Sequence, residues 1–270
     1  MTRTLTFLAL FFITGSVVAQ NTAASPYSAS GLGERSFNGT QANRHMGGLD
    51  VFTDSIHVNL NNPASYGFSK VTTYSVGINY TNNNLSSSNE SQNSDVASID
   101  YISVSIPTGK FSFGFGLLPF TSVGYRVQGT NETSDNQIFN RYEGNGGINQ
   151  AYFSIGLPVT SYFAIGSTIN YNFGNLFYRT GQFLEGIDNG TFLSNESSVS
   201  GLSFQFSGQL KIPIQKKYTL QGMYSYQPKV GLDSRNSRIF STQSLSTEIL
   251  TDIVRIDLAS SGLENTNLDL

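Results

Sequence analysis

Side-chain alternation constrains this chain more than any other feature. In residues 71–80, Thr72, Tyr74, Val76, Ile78 and Tyr80 occupy one parity; Thr73, Ser75, Gly77 and Asn79 occupy the other. Successive side chains of a strand point to opposite faces, so the segment is apolar on one side and small and polar on the other. The pattern returns at 97–106, 111–120, 149–157, 162–173, 201–212 and 218–227. In 149–157, for example, Ala151, Phe153, Ile155 and Leu157 oppose Gln150, Tyr152, Ser154 and Gly156. A soluble β-sandwich also alternates, but its outward face needs charge, and only 12% of residues are Asp, Glu, Lys or Arg. Segments of about ten residues with an oily and a wet face point to an all-β fold, an antiparallel transmembrane β-barrel.

The N-terminus agrees. Arg3 precedes a short apolar core from Leu5 to Ile13, and Val17-Val18-Ala19 supplies small residues for cleavage before Gln20. This is a secretory signal peptide over 1–19, too short for a spanning helix. An exported chain of alternating strands belongs in the outer membrane of a diderm bacterium, facing lipid and lipopolysaccharide. The chain has no cysteine, which excludes a disulfide framework and thiolate metal sites. A net charge of −3 offers no basic patch, so nucleic acid is not an expected partner. The two histidines, His45 and His57, form no metal-ligating pattern, and the Gly-rich stretches at 31–33 and 144–147 precede no helical pattern. No enzymatic activity, cofactor or metal is expected.

Connections alternate in length. Short turns at 107–110, 158–161 and 213–217 alternate with long polar stretches at 81–96, 121–148, 174–199 and 228–246, which read as loops. Barrels keep short turns in the periplasm, so the first strand runs outward. An eighth, weakly patterned strand is expected within 247–258, with 259–270 returning to the periplasm. Lipid should meet Phe113, Phe153 and Phe204, and the interior should hold Ser112, Gln150 and Gln205. The barrel segment spans 71–270. Residues 20–70 precede it without sustained period, and an eight-stranded barrel is filled by its own side chains. With no closing amphipathic strand before Leu270, the chain reads as the first part of a larger barrel.

Within 20–70, Gly31-Leu32-Gly33, Met46-Gly47-Gly48, Asp54-Ser55 and Asn62-Pro63-Ala64-Ser65 resemble the FadL/TodX (OmpP1) family of hydrophobic-compound transporters, in its Bacteroidota branch. The resemblance implies a fourteen-stranded barrel closed by an N-terminal plug, with Gly47, Gly48, Asp54, Asn62, Pro63 and Ala64 as plug residues. It also implies uptake of a small hydrophobic molecule with lateral release into the bilayer. Pro63 fixes its own φ and pushes Asn62 toward extended backbone, freeing the Asn side chain to bond nearby groups. The other reading of Asn62-Pro63 is an ordinary turn before a strand.

A proline also interrupts the third strand, in Gly114-Phe115-Gly116-Leu117-Leu118-Pro119-Phe120. Proline lacks the amide a ladder needs and sits at edges or bulges. Either Gly114, Gly116, Leu117, Pro119 and Phe120 form a lateral opening beside the plug, or Pro119 marks the strand's exit into a loop. Two functions remain: uptake of hydrophobic compounds, or a non-transporting barrel serving an outer-membrane secretion or assembly machine among other outer-membrane proteins. The long stretches are mostly Asn, Ser, Thr and Gly, which weighs against transport.

Overall fold

The computed structural model describes residues 25–86, 91–133, 136–215, 217–244 and 250–258. The signal peptide at 1–19 and the C-terminal return at 259–270 lie outside the described residues. The chain is all-β and antiparallel. Residues 25–70 hold two 3-10 turns (Pro26–Ala29 and Pro63–Phe68), the two-residue strand β1 (Glu34–Arg35) and the short helix α1 (Gln41–His45). Long strands follow: β2 (Thr73–Ser86), β3 (Ser91–Pro107), β4 (Ser112–Thr133), β5 (Asn136–Pro158), β6 (Phe163–Leu184) and β7 (Asn189–Gln215). After them come β8 (Tyr218–Tyr226), β9 (Asp233–Ser244) and β10 (Leu250–Leu258).

All ten strands share one sheet, ordered β10-β9-β7-β6-β5-β4-β3-β2, with β8 alongside β7 and β1 alongside β4. β2 and β10 end the path, and no pairing joins them among the described residues. β8 and β9 share the same edge of β7: β8 pairs with Phe206–Gln215 and β9 with Asn189–Ser200. They are two halves of one ascending strand, interrupted where Pro228 removes a ladder donor. Leu232, at the end of this interruption, tucks against Gly201.

The stretches expected as loops are largely strand. β4 and β5 stay paired from Ser112↔Gly156 to Thr133↔Asn136, and β5 and β6 from Pro158↔Ala164 to Ile138↔Leu184. Strands of 22, 23, 22 and 27 residues (β4 to β7) are about twice what a bilayer needs, roughly 9–11 residues. In their outer halves apolar side chains such as Val123, Ile148, Leu176 and Val199 are buried on the inner face, so the backbone ladder persists while the oily-out, polar-in alternation is lost. Aromatic rings there lie over facing glycines, Tyr125 against Gly144 and Phe192 against Gly181, covering backbone that glycine leaves bare.

In the lower halves the alternation holds. Phe115, Phe153, Ile165, Ile169, Leu202 and Phe206 are exposed on one face; Ser103, Ser112, Gln150, Ser154, Thr168 and Asn170 are buried on the other. Phe113 and Phe204 are half-exposed, and Gln205 is half-buried against the N-terminal segment. The apolar face fits lipid. Phe153→Arg is therefore expected to destabilise the protein in lipid vesicles by about 2–4 kcal/mol, with Phe153→Leu nearly neutral. Equal unfolding free energies for the two variants would place that face in water.

Candidate functional site

Residues 25–70 lie across the polar inner face of the sheet, and the seat is built from both sides. On the wall, Gly156 and Gly166 present bare backbone to the turn Pro63–Phe68. A Cβ on Gly166 would stand 2.3 Å from the Pro63 carbonyl carbon, and one on Gly156 2.5 Å from the Gly67 nitrogen. Around this contact, inward polar side chains grip the segment. Asn62 is fully buried. Its Nδ2 donates to Gln209 Oε1, and its Oδ1 accepts from Ser207 Oγ at 3.0 Å. Ser207 Oγ also accepts from the Ala64 amide at 2.8 Å. Gln205 Nε2 donates to the Asn61 carbonyl, Gln209 Nε2 to Val51, and Lys211 Nζ to Thr53. Asn62 thus bonds wall side chains more than local backbone, tying positions some 147 residues apart.

The remaining residues of the expected plug motif have local tasks. Gly47 and Gly48 take φ of 73° and 81°, and their amides donate to the Arg44 and Asn43 carbonyls, closing the turn after α1. Asp54 accepts from the Ile56 and His57 amides and pairs with the His57 ring. Burial pushes its carboxyl up, but these hydrogen bonds and the His57 charge outweigh it and hold Asp54 below its ordinary value. Asp50 behaves oppositely: burial raises it, and the Asn61 amide only partly offsets this. A carboxyl depressed in the folded state contributes stability above its unfolded pKa and loses it as pH falls through the folded value. The Tm gap between the native chain and Asp54→Ala should therefore close on acidification below the ordinary carboxylate range. A gap unchanged between neutral and acid pH would remove the hydrogen bonds as its cause.

The third long strand behaves unevenly. β4 pairs with β3 only from Pro107↔Ser112 to Ile102↔Leu117. Above Leu117 the two strands part. Pro119 pairs with Asn149 and Thr121 with Ile148, which leaves Phe120 as an inserted residue, a β-bulge. On β3, Gly77↔Tyr101 is followed by Ile78↔Ile99, so Asp100 is inserted at the same level. The N-terminal segment fills the split: β1 pairs with β4 (Glu34↔Ser122, Arg35↔Thr121), and Arg44 of α1 holds Asp100 at 2.9 Å. Gly114 and Gly116 leave room for the rings of Tyr66 and Tyr152.

Above this wedge the inner face turns apolar. Phe120, Val123, Ile148, Leu176 and Val199 form a buried cluster covered by Leu32 and Leu232 of the chain itself. Higher still, a cleft of about 1250 Å³ is lined by Ser94–Val96 of β3, Gly124–Gln128 of β4 and residues of β5, β6 and β7. Its walls mix polar groups with Val127, Phe177 and Tyr178, and Arg126 Nε lies 2.7 Å from Glu143 Oε1. The sequence reading missed the glycine seat (Gly156, Gly166) and its polar grips (Ser207, Gln209). Their signal was present as glycines and short polar residues recurring on the inward parity.

A family model described as BamG matches residues 1–270. No curated protein and no solved structure matches the chain. BamG is a family of its own, so the assignment to the FadL/TodX transporters, drawn from short Gly- and Asn-Pro-Ala stretches, is corrected. Those stretches report a turn seated on a sheet, a local geometry that unrelated barrels can share.

Proposed function

The chain belongs to the BamG family, and from that membership we propose that it is a non-transporting, non-enzymatic outer-membrane β-barrel protein acting as an accessory of the outer-membrane assembly machine. Its partners are other outer-membrane proteins of that machine. The observation that carries this reading besides the family match is how the inner face is occupied. A route for hydrophobic molecules needs an apolar inner surface open to a ligand. Here the apolar cluster is covered by Leu32 and Leu232, and the polar surface below it is engaged by residues 50–68. In this reading residues 25–70 are a fixed seal, with Asn62, Pro63 and Ala64 at its centre, and the wall serves as a rigid body for docking.

The test is affinity isolation of the tagged full chain from native outer membranes in mild detergent. Stoichiometric recovery of the machine's central barrel component is expected, together with slowed assembly of other outer-membrane proteins when the chain is depleted. Recovery of the chain alone, with unchanged assembly and reduced uptake of a hydrophobic compound on depletion, would overturn the reading.

A further inference from the structure

We propose that the edge of β4 above Gly124 is a strand-docking site, which takes an extended polypeptide segment from a partner protein of the outer membrane. The inference rests on the assembly reading above and adds to it a place and a mode of binding. Among the described residues, β4 above Leu117 has a ladder partner on one side only, β5, apart from the two-residue contact with β1. Facing it across the cleft, Ser94–Val96 of β3 pair on one side only, with Thr81–Asn83 of β2. Among the described residues, two strand edges therefore border one cleft, each with backbone donors and acceptors that no ladder partner takes. Such rows are templates for another strand.

The chain itself shows that this edge accepts one. The Ser36 amide donates to the Phe120 carbonyl at 3.0 Å, β1 pairs with Thr121 and Ser122, and the Ser25 amide donates to the Gly124 carbonyl at 3.0 Å. Gly124 also turns its own amide to the same side, onto Ser28 Oγ at 3.1 Å. Since backbone direction repeats every two residues, Arg126 and Gln128 present both amide and carbonyl to the open edge, whereas Val127 faces β5, opposite Tyr142. Among the described residues, addition of the chain's own segment reaches Gly124, and the edge of β4 continues beyond it. Arg126, the charge that would guard it, is held aside by Glu143. An ion pair and a strand edge with open backbone groups suit a hydrogen-bonding main chain, while Val127 and Phe177 on the same cleft offer places for its side chains.

Amide hydrogen exchange reads this directly, comparing the purified full-length chain with the same chain inside the isolated machine. Arg126 and Gln128 should exchange fast alone and at least about tenfold slower in the machine, with Val127 slow in both. Gln128→Pro removes an edge donor without touching the β5 ladder; it should leave the purified fold intact and lower retention in the machine by about tenfold. Slow exchange in the isolated chain at every concentration would mean that its own residues close the edge, and would overturn the proposal. Slow exchange that appears only as concentration rises would identify a second copy as the occupant, overturning it equally. Fast exchange in both states, or full retention of Gln128→Pro, would do the same while leaving the assembly role standing. Absence of the chain from the machine would remove both.

Discussion

Gly166→Val is expected to unseat the N-terminal segment. Even the first carbon of a side chain at this position meets backbone, 2.3 Å from the Pro63 carbonyl carbon and 2.4 Å from the Ala64 nitrogen. Backbone atoms cannot rotate aside as a flexible side chain can. They belong to a turn pinned by Asn62 and Ser207, so relief requires moving the turn and breaking those bonds. Overpacking of this kind costs about 1–3 kcal/mol for the first carbons, and valine's two further methyls add to it. Gly222→Ala is the control: it lies in β8 with no other group within 4 Å of where a Cβ would stand, and should stay within about 0.5 kcal/mol of the native protein. Unfolding in detergent gives the energies, and limited proteolysis of residues 50–68 shows whether the segment has lifted off. Equal stability and equal protease resistance in the two variants would mean that the seat does not hold the segment.

The fold was legible where one face of a strand differs from the other. Residues 111–120 and 149–157 alternate because lipid-like apolarity is required outside and small polar groups inside, and both segments are strand. The outer halves, such as 121–148, were not legible, since apolar residues such as Val123 and Ile148 lie on the inner face there and the ladder is carried by backbone bonds that leave no period in the sequence. The interruption between β8 and β9 was hidden for a related reason: Pro228 signals a break but does not say that the strand resumes along the same neighbour. Asn62-Pro63-Ala64 stood out in the sequence as a turn of the N-terminal segment, and the structure seats that turn on β6 and β7. What it touches was not legible, because Ser207 and Gln209 come together with it only through the register of β6 on β7. The family could not be read from these residues either. A buried turn needs glycine, proline and asparagine whatever wall it rests on, so their resemblance to another family reflected shared geometry.

Asn62→Ala should be the most damaging single truncation of a polar side chain in the N-terminal segment. The side chain is fully buried and makes bonds in three directions: Nδ2 to Gln209 Oε1 and to the Asp50 carbonyl, and Oδ1 from Ser207 Oγ. Alanine leaves the Gln209 oxygen, itself fully buried, without that donor, and leaves Ser207 without that acceptor. A buried polar group deprived of its partner costs about 1–3 kcal/mol, so a loss of roughly 2–4 kcal/mol is expected once the second group and the vacated volume are included. If Asn62-Pro63 were only a turn before the first long strand, Asn62→Ala and Gln209→Ala would act independently. If the turn is pinned to β7, the two are partners, and the double variant should cost less than the sum of the singles by about 1 kcal/mol or more, since removing Gln209 also removes the orphaned acceptor. A double-mutant cycle on unfolding free energies decides between these. Strict additivity would reduce Asn62 to a residue of the turn and take from the inner face its best-defined point of attachment.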